Sequence, residues 1–277
     1  SGHVSTKTQV YKGVTLITLP HSKKKNFTTI THSFLSTIHV CFSNYDAILY
    51  LGVGSTLFSI LPRFFGIKTF VHIDGKDWKR KKWSVFGRMY LKTSEYLTTF
   101  FPNAVITDSH YMVDYYKRRY KKAIAYIPYG YFEIPKHIDA KKILEKYHLK
   151  KEKYFVWVWR LVPENHIEEF LTAFAAVSES NIRCIILGDD TYESEYKKKI
   201  YEQIQKDQRI VFKGFIPHEE VLVLEQQCLA YIETKRSGGT HMSLVEAMGA
   251  GALIVSHNNT ANKEVLGDAA LYYDMSK

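Results

Sequence analysis

The chain has 277 residues and a mass of 32.2 kDa, room for about two domains with cores of their own. Apolar residues at 45% and charged residues at 24% exclude a disordered chain. Cys41, Cys184 and Cys228 stand far apart with no C-x-x-C spacing, which excludes a disulfide scaffold and a zinc site and suits a reducing cytosol.

The net charge of +10 is unevenly spread. Residues 1–134 carry 19 Lys/Arg against 7 Asp/Glu, a net of +12, whereas residues 135–277 carry 19 against 21. One basic half is expected to face an anionic partner. Ser1-Gly2-His3 reads as a tag remnant outside the fold, with no signal peptide behind it. Val14–Leu19 predicts a first strand. The most apolar stretch, Ala47 to Phe65, is broken by Gly52, Gly54, Ser55 and Thr56 and ended by Pro62-Arg63. It reads as strand, loop and helix, with a membrane span as the minor alternative. Lys68–Ile73, Ala104–Thr107 and Ala123–Ile127 predict further strands.

From Tyr131 to Lys153 the rhythm breaks into Pro135, a polar helix over 140–147 and a Lys/Glu-rich tail, placing the inter-domain connection there. Strands then follow at Tyr154–Trp159, Arg183–Leu187, Ile210–Phe212, Leu229–Ile232 and Leu253–Val255. Helical spacing recurs at Glu168–Val177, Ser194–Lys206 and Glu219–Cys228. The strands are β-branched or aromatic runs rather than alternations, as burial on both faces requires. Strand–helix alternation predicts an α/β fold of two doubly wound, Rossmann-like halves, residues 4–134 and 135–277, facing each other across a cleft. Ligands of such folds bind beyond the carboxyl ends of the strands, so the polar clusters there are the candidates.

The strongest cluster is Ser237-Gly238-Gly239-Thr240-His241-Met242-Ser243-Leu244-Val245-Glu246. The glycines suit a tight turn, Ser243 opens a helix, and free N–H groups at such a start bind phosphate. Glu246 is placed to accept hydrogen bonds from a ribose diol. A capping box of Ser243 and Glu246 explains the same residues equally well. Arg160, at the end of Tyr154–Trp159 and ahead of Asn165, is placed to clamp a diphosphate; a rim pair with Glu164 is the alternative. His72 and Asp74 end a strand and lead into Trp78-Lys79-Arg80-Lys81-Lys82-Trp83. Interleaved Lys, Arg and Trp on a helix suit an anionic membrane surface, with a solvated helix face as the alternative. Gly188-Asp189-Asp190 and Phe215-Ile216 are lesser strand-end loops. Gly52-Val53-Gly54-Ser55 is half of a dinucleotide-binding fingerprint, and an ordinary strand–helix turn accounts for it as well. No P-loop, G-x-S-x-G, H-E-x-x-H or Asp-x-Asp is present, and no nucleic-acid-binding signature.

Arg160 to Asn165, Gly188-Asp189, the turn at Gly214 and Ser243 to Gly251 resemble, in order, the donor domain of retaining glycosyltransferase family 4, of GT-B architecture. His72 to Gly75 with Trp78 to Trp83, together with Ser237 to Thr240, resembles the bacterial rhamnosyltransferases of capsule and cell-wall polysaccharide assembly. The resemblance covers nearly the whole chain. It implies transfer of a sugar, L-rhamnose from dTDP-rhamnose as first choice, to a lipid-linked glycan, at the inner face of the plasma membrane and with no metal or other cofactor. In that picture Arg160, Asn165, Asp189, Gly238, Gly239, Thr240 and Ser243 surround the donor, Glu246 binds ribose, and Phe215-Ile216 meets the base. His72, Asp74 and Arg160 serve the transfer itself. Departures are Gly238 where the family often has a first Glu, Asn165 where many members have Lys, and a chain short of the usual first unit and C-terminal helices. A non-catalytic nucleotide-sugar-binding module is the alternative function, followed by an NAD-dependent oxidoreductase, for which Asp74 stands near the right distance from Gly52.

Overall fold

The computed structural model describes residues 10–11, 13–20, 28–79, 83–189, 194–236 and 239–274. The chain divides into two compact units, after Pro128 rather than after residue 134.

In the first unit, β1 (Val10–Tyr11) and β2 (Val14–Thr15) form a small exposed antiparallel hairpin. The strand expected over Val14–Leu19 therefore reaches only two residues. After α1 (Thr28–Cys41) comes a parallel sheet in the order β3 (Ala47–Leu51), β4 (Lys68–Ile73), β5 (Ala104–Thr107) and β6 (Ala125–Tyr126). Its helices are α2 (Val85–Leu97) and α3 (His110–Tyr120). Between β3 and β4 the chain makes two short 3-10 turns, Val53–Phe58 and Pro62–Phe65, where the apolar stretch had predicted a helix. No helix among the described residues is long and apolar enough to cross a membrane.

The second unit holds α4 (Ala140–Lys146), β7 (Tyr154–Val158), α5 (Ile167–Ala175), β8 (Arg183–Leu187), α6 (Glu195–Gln205), β9 (Ile210–Gly214) and α7 (His218–Gln227). It continues with β10 (Ala230–Glu233), α8 (Met242–Gly249), β11 (Ile254–His257), α9 (Thr260–Leu266) and β12 (Leu271–Tyr273). All six strands are parallel, in the order β12-β11-β10-β7-β8-β9. This is the doubly wound order, built outward from β7 in both directions, with the reversal between β7 and β10.

Both faces of this sheet are covered, which explains its unalternating strands. Tyr154, Val156, Ile185, Leu187 and Tyr231 pack on one face; Trp157, Cys184, Ile186 and Ala230 pack on the other with Phe170, Leu171 and Phe174 of α5. Burying one such aliphatic or aromatic side chain contributes about 1.5–3 kcal/mol, so these strands cannot slip by a residue without exposing a row of them. The segment expected to be an inter-domain connection is part of this core: Asp139 caps α4, and Ile143, Tyr147 and Leu149 are buried against β7 and α7. All three cysteines are buried and free.

Candidate functional site

A cavity of about 370 Å³ opens at the carboxyl edge of the second sheet. Its walls include Val158, Leu187 and Gly214, the last residues of β7, β8 and β9, with Trp159, Arg160, Gly188, Phe215, Ile216, Ser243 and Glu246. Strand ends gather here because parallel strands deliver all their carboxyl termini to one edge. Arg160 and Glu246, remote in sequence, are thus walls of one hollow.

Each wall has a local cause. Arg160 is exposed, and among the described residues it forms no ion pair with Glu164. Gly188 has φ +88°, and a Cβ there would stand 2.6 Å from the Trp159 carbonyl oxygen, so only glycine allows the β7 and β8 ends to approach so closely. Ser243 and Glu246 come from α8, which begins at Met242 with His241 as N-cap. The expected start at Ser243, and the capping box with it, does not form. Glu246 consequently sits one turn into the helix, mostly buried, where its Oε1 accepts from His218 Nε2 at 2.9 Å. The ring of Phe132 lies edge-on to His218 at 5.4 Å and backs that contact. Glu225, fully buried in α7, has its carboxyl pushed well above the usual range by burial, with the charge of Glu246 adding to it. Glu225 lies inside the core, and the acidic side chain among the cavity walls is Glu246.

Other expected donor residues lie elsewhere. Asn165 is buried: its Nδ2 donates to the Arg160 carbonyl at 2.8 Å, and its own carbonyl accepts from Thr234 at 2.5 Å. It shapes the loop that carries Arg160 and does not line the cavity. Asp189 is held by α6, 3.1 Å from Lys197 Nζ and accepting from the Tyr201 hydroxyl at 3.0 Å. At that strand end it is Gly188 that forms the wall. Gly239 and Thr240 precede the His241 cap without being walls, and Ser237, Gly238 and Asp190 lie outside the described residues.

Within the first unit, His72 is the last residue but one of β4, with Nδ1 3.1 Å from Asp74 and Nε2 3.7 Å from Asp108. The hydrogen bond to Asp74 raises its pKa, burial opposes this, and the charges of Asp74 and Asp108 add to the rise. A histidine between two carboxylates is a set able to hold a protonated ring or a divalent ion. Asp108 was missed in the sequence although it follows the predicted strand Ala104–Thr107 directly.

The tryptophans behave differently from expectation. Asp77–Lys79 is a single 3-10 turn rather than the start of an amphipathic helix. Trp78 donates to Glu95 at 2.9 Å, and both Trp78 and Trp83 pack against the core of the first unit instead of being displayed. Glu95 also accepts from Tyr115 and Tyr120, a set that satisfies a buried carboxylate and anchors Trp78 to α2 and α3. Arg80, Lys81 and Lys82 lie outside the described residues, while Val85, Phe86 and Met89 are the exposed apolar side chains beyond them. Gly52-Val53-Gly54-Ser55 runs into a 3-10 turn, not the α-helix that a dinucleotide fingerprint requires.

Comparison with known proteins agrees with this architecture. Residues 139–272 match the family "Glycosyl transferases group 1", and residues 52–131 match a domain of unknown function, DUF1972. A curated relative, the O-antigen chain mannosyltransferase B of Escherichia coli, is 26% identical over 135 residues, covering 48% of this chain and 35% of its own length. The aligned part is thus about a third of that relative. Among solved structures, Anabaena HepE in complex with UDP-glucose superposes with a TM-score of 0.73 at 18% identity, over 88% of this chain and 68% of that one. WaaG, a glycosyltransferase involved in lipopolysaccharide biosynthesis, gives 0.74 at 12% identity, over 97% and 75%. The chain therefore has an α/β fold of two Rossmann-like units, the GT-B architecture, and it is the second unit, over residues 139–272, that is similar to the group 1 glycosyl transferases.

Proposed function

We propose that this chain is a retaining hexosyltransferase that moves a sugar from a nucleoside diphosphate donor to a lipid-linked glycan in bacterial surface polysaccharide synthesis. The observation that carries the proposal is the cavity at the carboxyl edge of the second sheet, with a guanidinium, a carboxylate and a helix N-terminal turn among its walls. The relatives' own names, an O-antigen mannosyltransferase and a lipopolysaccharide glycosyltransferase, support the same class of product. Arg160 then neutralises the diphosphate and the charge growing on it as the glycosidic bond breaks. Ser243, in the first turn of α8, offers a hydroxyl and an N–H to the same group. Glu246 accepts from the ribose hydroxyls, and Phe215 with Ile216 covers the base. His72 and Asp74 are the first unit's part in the transfer. In retention of this kind the leaving phosphate takes the acceptor's proton, so the protein supplies position and charge. No metal ion is invoked, since Arg160 and the helix turn provide the positive charge.

The donor is dTDP-L-rhamnose in this reading, with a mannose donor as the second choice on the strength of the Escherichia coli relative. Nucleotide-sugar binding and transfer, measured with dTDP-rhamnose, GDP-mannose and UDP-glucose in the presence of a chelator, test it. Binding of none of the three would overturn the proposal, and activity that requires an added divalent ion would overturn its metal-free form. We further propose that the basic first unit rests on anionic lipid through the Lys79–Lys82 segment and the exposed Val85, Phe86 and Met89. Liposome flotation that ignores both salt and Lys79→Glu would refute that part.

A further inference from the structure

A nucleoside diphosphate brings at least two negative charges, and Arg160 answers one of them. The topology of the second unit shows where another cation stands. Strand order reverses between β7 and β10, and a doubly wound sheet opens its ligand crevice at that point. The two strands pair with Ala230 opposite Phe155 and Tyr231 opposite Val156. Arg160 and Lys235 each stand two residues past the ends of these neighbouring strands, Val158 and Glu233. The Lys235 ammonium lies 4.7 Å from the ring centroid of Trp159, and Trp159 is a wall of the cavity.

The position is built, not incidental. Glu233 Oε1 accepts from the Lys235 N–H at 2.8 Å. The Lys235 carbonyl accepts from Asn259 at 3.1 Å and from Asn262 at 3.4 Å, both at the start of α9. Glu233 and Asn262 are themselves buried. The backbone is thus pinned on both sides, while the side chain is half-buried with a cation–π contact to the wall residue Trp159 that orders its stem. Its neighbour Arg236 is engaged by Glu169, which also pairs with His166. Asn165 is uncharged, and its amide is committed to the Arg160 carbonyl.

We propose that Lys235 is the second cationic ligand of the donor diphosphate, acting with Arg160 across the β7–β10 junction. This rests on the donor-site reading above. Trp159 holds the ammonium beside the cavity wall, and the diphosphate engages it in a charge-assisted contact.

Calorimetric titration of the full chain with UDP, GDP and dTDP, and with the matching nucleosides, tests this on wild type, Lys235→Ala, Lys235→Gln and Lys235→Arg. Diphosphate affinity is expected to fall roughly tenfold or more in the Ala and Gln variants and to stay near wild type in Arg. The salt dependence of binding flattens with the lost charge, and nucleoside affinity does not move. Diphosphate affinity within twofold of wild type in both neutral variants overturns the assignment of Lys235 and leaves the donor site standing. A parallel loss of nucleoside and diphosphate affinity also overturns it, since that marks a disturbed Trp159 wall. Failure of the wild type to bind any of the three diphosphates removes the donor reading, and the proposal falls with it.

Discussion

Glu246→Gln is a sharp perturbation of the donor site because it removes a charge and keeps the shape. The glutamine oxygen still accepts from His218 Nε2, so the side chain stays where Glu246 now lies, 14% exposed. A hydrogen bond to a charged acceptor contributes about 1.5–3 kcal/mol and one between neutral partners about 0.5–1.5, so the exchange costs about 1–1.5 kcal/mol for each donor hydroxyl. At ~1.4 kcal/mol per decade, each hydroxyl is worth roughly tenfold in affinity. A ribonucleotide offers Glu246 two hydroxyls, whereas dTDP, which lacks the 2′-hydroxyl, offers one. Calorimetry should therefore find a loss of about a hundredfold for UDP or GDP and about tenfold for dTDP. The donor that the wild type prefers thus identifies itself by the size of its loss. Unchanged diphosphate affinity in a variant that melts with the wild type would refute the ribose assignment of Glu246.

Three further outcomes are expected. Arg160→Ala should abolish transfer and weaken diphosphate binding by about ten- to a hundredfold, with stability within about 0.5 kcal/mol because the side chain is exposed; wild-type turnover contradicts its role. Gly188→Ala forces a side chain onto φ +88° and against the Trp159 carbonyl. That strain costs about 2–3 kcal/mol, seen as a melting temperature lower by roughly 5–10 °C, and an unshifted melt would show that the close approach is not needed. The raised pKa of His72 means the folded state holds its proton more tightly than the unfolded chain. Its contribution is fully present below about pH 6.5 and is lost as pH rises through the folded value. The difference in melting temperature between wild type and His72→Gln should therefore shrink from pH 5.5 to pH 8.5, and a gap that widens with pH would refute the carboxylate clamp.

Much of the fold was legible because buried parallel strands leave a strong local mark. The runs at Ala47, Lys68, Ala104, Tyr154 and Arg183 are strands within a residue of their expected limits; the last four are largely buried, whereas Ala47–Leu51 is an edge strand with Leu49 and Leu51 exposed. Val14–Leu19 has the same composition but only a two-residue hairpin, because strand propensity without neighbours to pair with does not make a strand. The helix over 140–147 looked polar and connective, and its buried Ile143 and Tyr147 attach it to the second core. Trp78 and Trp83 looked like surface anchors, until Glu95, some seventeen residues beyond Trp78 in sequence, supplied the acceptor that draws Trp78 inward.

The amino-acid order alone established two Rossmann-like units, the basic first half, the strand-end positions of Arg160 and Phe215 and a helix that carries Glu246, all of which follow from local pattern and charge. Tertiary structure decided which of those strand ends share a hollow, because that depends on strand order, and order is set by pairing between segments distant in the chain. It withdrew Asn165 and Asp189, whose short polar side chains found nearer partners, and it brought forward Trp159, His218, Asp108 and Lys235. A side chain's type is written in the sequence, whereas its partner is whichever group the fold places within hydrogen-bond reach.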